Sequence, residues 1–372
     1  MTLRENIERE IRERGPMPFS RYMEMCLYDP VMGYYSRHTE QFGKAGDFYT
    51  SSDVHAVFGR LLARQFDEMW RELGSPERIE LLELGPGRGL FAQDVLDWSE
   101  KKFPEFFQAL HYRLAESSPA LRERLRATLS GAFAAGKASI GEAVPCSGPC
   151  IVFANEFFDA LPVEILSPKG ALQIVERDGR FEESWAPASA EELEFLDHHS
   201  VHAEDGERVE VPLVAQRYIS QIAANLQRGF LIVIDYGYTR QEQLGGRHRG
   251  TVMAYRQHSA SANPNEAPGE QDLTAHVNFT ALAAAAEQNG MQVQPLLTQS
   301  QFLMGIGEEN QFADAFGECG LPQERAKVAL QLKHLVTPAG MGESFHVLVA
   351  SKGVDAAKAA ALSGLSFGKT RV

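Results

Sequence analysis

The sequence predicts an α/β protein with a doubly wound, Rossmann-like sheet of mainly parallel strands, and three observations carry that prediction. From residue 79 onward, short apolar runs of strand length alternate with stretches of helical periodicity, the pattern of a sheet covered by helices on both faces. The runs "IELLEL", "CIVFANE" and "FLIVIDYG" are nearly continuous in apolar residues, as strands buried on both sides must be. The first of them runs straight into "GPGRG", a glycine-rich strand-to-helix turn of the kind that lies under ligands in such sheets.

The elements follow in order. Ile7 and Ile11 mark a first helix that stops before Gly15-Pro16, and "PFSRYMEMCLYDPVMGYYS" reads as a short helix ending near Asp29-Pro30. The polar loop "GKAGDFYTSSD" leads to Ser51, Ser52 and Asp53, any of which can cap a long helix from about Val54 to Leu73. After the strand at 79 come helix "RGLFAQDVLDW", strand "YRLAE", helix "SPALRERLRATL" capped by Ser118, the short strand end "SIGEAVP", and strand "CIVFANE". "VEILSP", "ALQIVERDG" and "FEESWAP" then read as an inserted antiparallel element with a hairpin turn at Asp178-Gly179, extended by the acidic helix "SAEELEFLDHH". A helix at about 213–227 and strand "FLIVIDYG" resume the alternation. The Gly-, Arg- and Pro-rich stretch that follows is too long for a passive connector. Helix "NFTALAAAAEQNGM", strand "QVQPLLTQ", two helical segments and a final strand "SFHVLVASKG" complete the series, and the last residues read as a frayed tail. The expected units are an N-terminal helical lid region 1–75, a core first half 76–165, an insertion 166–212, a core second half 213–353 with a substrate-side loop 237–277, and a tail 354–372.

Composition narrows the chemistry. A net charge of −14 is a poor match for a phosphate backbone, so nucleic acid is not expected as a partner. The four cysteines are too few for a disulfide framework, and the C-x3-C of Cys146 and Cys150 is not a zinc-ribbon spacing. His198, His199 and His202 sit on an acidic helix and read as solvated, so no metal is expected. No apolar run is long enough to span a membrane, and the charged start resembles neither a signal peptide nor a presequence. The expectation is a cytoplasmic, bacterial protein.

Ligands of open α/β sheets sit beyond the carboxyl ends of the strands, so those ends carry the chemistry. The first offers Glu83, Gly85, Pro86, Gly87 and Gly89, with a G-x-G-x-G spacing that lacks the last glycine of a dinucleotide fingerprint. Pro86 stiffens the turn and removes a donor, so the turn suits a ligand without a pyrophosphate. Glu116, followed by Ser117, can accept both hydroxyls of a ribose, and Glu142 can accept from an adenine amine. The fourth end, "ANEFFDALP", places Asn155 and Glu156 at the rim and Asp159 one helical turn on, beside two phenylalanines, a setting for a cation. Asp235, Tyr236 and Tyr238 lie at the same rim. Glycine floor, ribose acceptor, adenine acceptor and Asn/Glu, in that order, fit S-adenosylmethionine in a class I methyltransferase.

"GDFYTSSDVHAVFG", "LLELGPGRGLF", "ANEFFDALPVE", "IDYGY" and "DLTAHVNFTALA" together resemble the MidA family, whose mitochondrial members are the complex I assembly factor 7 proteins. The resemblance runs from about Pro18 to Gly353 and implies dependence on S-adenosylmethionine. It also implies a protein substrate, by analogy a respiratory complex subunit methylated on arginine. Carried over by motif, Gly46, Asp47 and Thr50 belong to an N-terminal loop closing on the cofactor. Glu83, Gly85, Gly87 and Glu116 line its cleft, and Asn155 and Glu156 hold its methionine end. For the transfer itself, Glu156 and Asp159 are the candidate carboxylates to grip a guanidinium and accept its proton, with His276 as a third member. Against His276 stands its reading as a helix-cap residue. A small-molecule methyltransferase, a cofactor-binding assembly chaperone without turnover and, last, a nicotinamide-dependent oxidoreductase are the rival readings. Self-association as a homodimer is left open.

Overall fold

In the computed structural model, which describes residues 2–36, 56–145, 147–256, 259–261 and 263–367, one large sheet organises the chain. Its main strands are β1 (Ile79–Leu84), β2 (Leu110–Ala115), β3 (Ala138–Gly141), β4 (Pro149–Asn155), β5 (Arg228–Tyr238) and β6 (Phe345–Lys352), with three two-residue strands added at β5 and β6. They lie in the order β6-β5-β4-β1-β2-β3, all parallel except β6, which runs antiparallel to β5. Successive residues face opposite sides. Ile151 and Phe153 enter a core with the helices Ala56–Glu72, Leu90–Lys102 and Gln299–Glu309, whereas Val152 and Ala154 enter a second with Leu213–Asn225 and Phe279–Gln288. Two apolar layers on one sheet explain why these strands read as continuous hydrophobic runs. The chain moves outward from β1 to β2 and β3, then crosses back to β4, so the order reverses between β1 and β4. That reversal opens the crevice at the carboxyl ends of the strands.

The insertion forms its own antiparallel sheet from strands Glu164–Ser167, Gly170–Arg177, Arg180–Ala186 and Val209–Val211. Asp178 and Gly179 have φ of 49° and 76°, the paired positive values of a type I′ hairpin turn. Helix Ala190–His199 starts at a Ser189–Glu192 capping box and packs on one side of this sheet.

Four expectations need correction. Residues 1–75 do not form one unit: helices Leu3–Arg14 and Phe19–Tyr28 pack on the inserted sheet, which Met17–Pro18 joins as an extra strand, while helix Ala56–Glu72 belongs to the main core. The described residues of the stretch 237–277 carry regular structure, with helix Arg240–Leu244 and a three-stranded sheet of 253–256, 259–261 and 272–274. Ala254 and Leu273 anchor it by burying against the N-terminal helices. "QVQPLLTQ" is not one strand but two short pieces, Gln292–Val293 and Leu297–Thr298, because Pro295 between them has no N–H to give the ladder. The described part of the tail, 354–367, is docked, not frayed: Asp355 caps helix Ala356–Ala360, and Leu362 and Leu365 are buried in the main core. Ser51, Ser52, Asp53 and Val54 lie outside the described residues. Among the described residues no helix is long and apolar enough to cross a membrane.

Candidate functional site

A cavity of about 1170 Å³ opens at the carboxyl ends of β1, β2, β3, β4 and β5, over the β1/β4 reversal. A single small ligand fills roughly 300–1,000 Å³, so this space accommodates a cofactor with a second reactant beside it. One wall is the strand-end rim of the main sheet, and the opposite wall is formed by Ser20, Arg21, Glu24, Tyr28 and Tyr35 of the N-terminal segment.

On the rim, Glu83, Gly85, Pro86, Gly87, Glu116, Ser117, Asn155, Glu156, Asp159 and His276 all line the cavity. Gly85 has φ 63°, and a Cβ there would stand 2.8 Å from the Phe157 ring, so both its conformation and its neighbour demand glycine. Glu83 is enclosed, and its carboxyl accepts from the Tyr112 hydroxyl at 2.8 Å. Burial pushes Glu83 up to about 8. Glu116 accepts from the Ser118 N–H at 2.7 Å, and burial raises it to about 7 against the pull of the Ser118 and Ser117 amides.

Two predicted residues are placed elsewhere. Glu142, directly after β3, is exposed and is not on the cavity wall; its neighbours Gly141 and Ala143 line the cavity instead. Gly89 does not face the cavity either. It is the left-handed N-cap of helix Leu90–Lys102, pressed against Leu125, where a Cβ would come within 2.8 Å. Gly46, Asp47, Thr50 and Cys146 lie outside the described residues. Among the described residues no group of three or more His, Cys, Asp or Glu gathers as a metal site.

The turn after β4 is the most constrained part of the rim. Glu156 has φ 50°, a left-handed conformation that costs a non-glycine residue about 1–3 kcal/mol. Asn155 donates from Nδ2 to Glu156 Oε1 at 3.1 Å, and its own Oδ1 is buried without a partner. Asp159 is buried, and its Oδ2 accepts from the Tyr236 hydroxyl at 2.5 Å. Burial raises Asp159 to about 6, partly offset by the tyrosine hydrogen bond. Behind the turn, the fully buried Asp235 accepts from the N–H groups of Phe157, Phe158 and Asp159 at 3.2, 3.0 and 3.3 Å. Burial, then the neighbouring Asp159 and Glu156, push the Asp235 acid upward, while the Phe158 and Asp159 amides pull it down.

The part of the cavity beyond this turn is aromatic and acidic. The Tyr28 hydroxyl donates to the Ala160 carbonyl at 3.0 Å, and the Tyr35 hydroxyl donates to Asp272 Oδ1 at 2.9 Å. The two rings lie 5.6 Å apart. His276 is not a helix cap, since Asn278 caps the following helix. Its ring meets Tyr236 edge-on at 5.3 Å, and its Nδ1 lies 3.1 Å from Nδ1 of His248. Burial and then His248 lower His276 to about 4, so it is neutral at physiological pH. Sequence reasoning put Asp235 at the rim without a role and passed over Tyr28, Tyr35, Asp272 and His248. Of these, only Asp272, at the head of "DLTAHVNF", carried a usable signal.

Comparison with known proteins follows the same lines. The family profile described as "Putative S-adenosyl-L-methionine-dependent methyltransferase" matches residues 61–297. The chain is 30% identical to the Danio rerio "Protein arginine methyltransferase NDUFAF7, mitochondrial", over 89% of this chain and 82% of the relative. It is 29% identical to the Drosophila melanogaster homolog, over 96% and 86% of the two chains. A Burkholderia thailandensis crystal structure bound to S-adenosyl-homocysteine superposes with a TM-score of 0.82 at 30% identity, covering 96% of this chain and 94% of the other.

Proposed function

Because this chain belongs to the MidA family of S-adenosyl-L-methionine-dependent methyltransferases, we propose that it methylates an arginine side chain of a protein. The residues present fit the cofactor. Asn155 Oδ1 is a buried acceptor without a partner, suited to an α-ammonium, and Glu116 is suited to ribose hydroxyls. With them we assign Glu83, Gly85, Pro86, Gly87 and Ser117 to the cofactor end of the cavity.

The observation that carries the arginine reading is the acidic, tyrosine-lined space directly beyond the cofactor rim. Glu156, Asp159 and Asp272 lie there with Tyr28, Tyr35 and Tyr236, and this combination favours a planar cation through carboxylate hydrogen bonds and ring faces. The cofactor supplies an electrophilic sulfonium methyl group. The chain's own work is to orient the attacking nitrogen, exclude water and take a proton. Glu156, at the open side of the turn, accepts from the guanidinium and takes the proton that the attacking nitrogen loses. Asp159, held by Tyr236, fixes the second edge of the group. Neutral His276 adds a polar wall without repelling a cation.

Labelled S-adenosylmethionine and cell extract test the proposal. Hydrolysis of the labelled protein is expected to release methylated arginine. Glu156→Gln is expected to reduce that label about 10²–10⁴-fold, the usual range for a lost acid–base group, while S-adenosyl-homocysteine binding stays nearly unchanged. Label confined to small molecules or another amino acid, or normal turnover by the variant, would overturn it.

A further inference from the structure

We infer that Asp235 is a positioning residue for methyl transfer, acting through the 156–159 turn and not by contact with either reactant. It is fully buried at the end of β5 and is absent from the cavity wall, so it touches no reacting atom. One of its oxygens collects three consecutive amides, those of Phe157, Phe158 and Asp159, and the other accepts from the Tyr236 N–H at 3.0 Å. Converging N–H groups form a nest that seats an acceptor oxygen. Here the oxygen is supplied by the neighbouring strand of the sheet, where Ile234 lies opposite Asn155.

The consequences reach both halves of the cavity. Glu156 is held in its left-handed conformation between its own N–H, which donates to the Ile234 carbonyl at 2.9 Å, and the amides fixed by Asp235. The same fixation sets the Phe157 ring against Gly85 at the cofactor floor. On the far side the Asp159 carbonyl accepts from the Ala275 N–H at 2.9 Å, which ties the turn to the segment carrying Asp272 and His276. Removing the oxygen that gathers the three amides therefore frees the direction of the Glu156 carboxylate while leaving Glu116 and Asn155 on their own strands.

This inference rests on the reading of Glu156 as the carboxylate that meets the substrate, and a double-mutant cycle separates the two. Because the side-chain carbonyl of an asparagine could still accept from the three turn amides, the variant is Asp235→Ala, which removes their acceptor. On folded protein, its kcat is expected to fall by about 10²-fold, the loss typical of a displaced catalytic group, with the KM for cofactor within a few-fold of wild type. In the Glu156→Gln background the same change is expected to cost little more, because both variants remove one function. Additive losses, or a lower melting temperature with wild-type kcat, would overturn the inference. Full activity of Glu156→Gln alone would sink the Glu156 reading instead. If Asp235→Ala does not fold, hydrogen exchange on the wild-type protein decides: the Phe157, Phe158 and Asp159 amides must exchange far more slowly than the adjoining exposed loop, and rapid exchange at all three would refute the anchor.

Discussion

Glu116 shows how a single side chain couples the site to pH. Burial in the cavity wall raises its carboxyl from 4.5 to about 7, so near neutrality it is divided between acid and carboxylate. Two ribose hydroxyls need an acceptor, and a cationic cofactor adds a preference for the ionised form. Affinity for S-adenosylmethionine is therefore expected to climb as pH rises towards about 7 and to level off above it, weakening by up to about tenfold per pH unit on the acid side. Calorimetric titration from acid to mildly alkaline pH checks this, with Glu116→Gln expected to bind more weakly and without the slope. A wild-type affinity flat across neutrality would count against Glu116 as the ribose acceptor. At this scale much of the rim was legible in the sequence, because the carboxyl ends of the parallel strands border the crevice. Glu142 was misplaced because a strand-end position does not set the side a residue faces: Gly141 and Ala143 line the cavity, and Glu142 between them is exposed. The role of Asp235 was illegible for another reason: its partners are the amides of Phe157, Phe158 and Asp159, on a different strand's turn, and no local pattern marks a backbone contact of that range.

The same division appears among the elements. Strands buried on two faces and capped helices announce themselves, and they lie where periodicity puts them. The carboxyl-terminal segment does not. Its Ala-, Ser- and Gly-rich composition reads as unstructured, and only Leu362 and Leu365 hint otherwise. Both are nonetheless buried. Ser363 and Gly364 donate their N–H groups to Glu68 and Gln65 of helix Ala56–Glu72 at 3.0 and 2.9 Å. Close approach requires Gly364, whose Cβ would meet Gln65 and Phe302 at 2.4 Å. The segment is thus a bracket on the helix that covers one face of the sheet. Leu365→Ala is expected to destabilise the protein by about 2–5 kcal/mol, the cost of a large-to-small change at a buried site. Urea denaturation measures it. A loss below about 0.5 kcal/mol, as expected of an exposed surface position, would mean that the segment contributes no packing.

At the scale of the whole molecule, the two walls of the cavity belong to different sheets. The cofactor end is carried by β1, β2 and β4 of the large sheet, whereas Ser20, Arg21, Glu24 and Tyr28 ride on a helix packed against the inserted one. Met17 pairs with Ile174, so the insertion orients the N-terminal helices even though it lines none of the cofactor rim. Tyr28 then reaches across to the Ala160 carbonyl after β4, connecting the two units, while Tyr35 ties the N-terminal segment to Asp272 of the three-stranded sheet. This architecture predicts that the halves can be perturbed separately. Ile174 is fully buried in the insertion, and Ile174→Ala loosens the wall it supports without touching the large sheet. The KM for the proposed protein substrate is expected to rise about 2- to 30-fold, the span of 0.5–2 kcal/mol typical of remote coupling. Affinity for S-adenosyl-homocysteine should change by less than about twofold, as for sites that share no partners. Kinetics with the labelled substrate, alongside calorimetry with S-adenosyl-homocysteine, distinguish the two effects. If affinity for S-adenosyl-homocysteine fell while the substrate KM held, the insertion would be supporting the cofactor rim, and the separation of cofactor wall from substrate wall would be wrong.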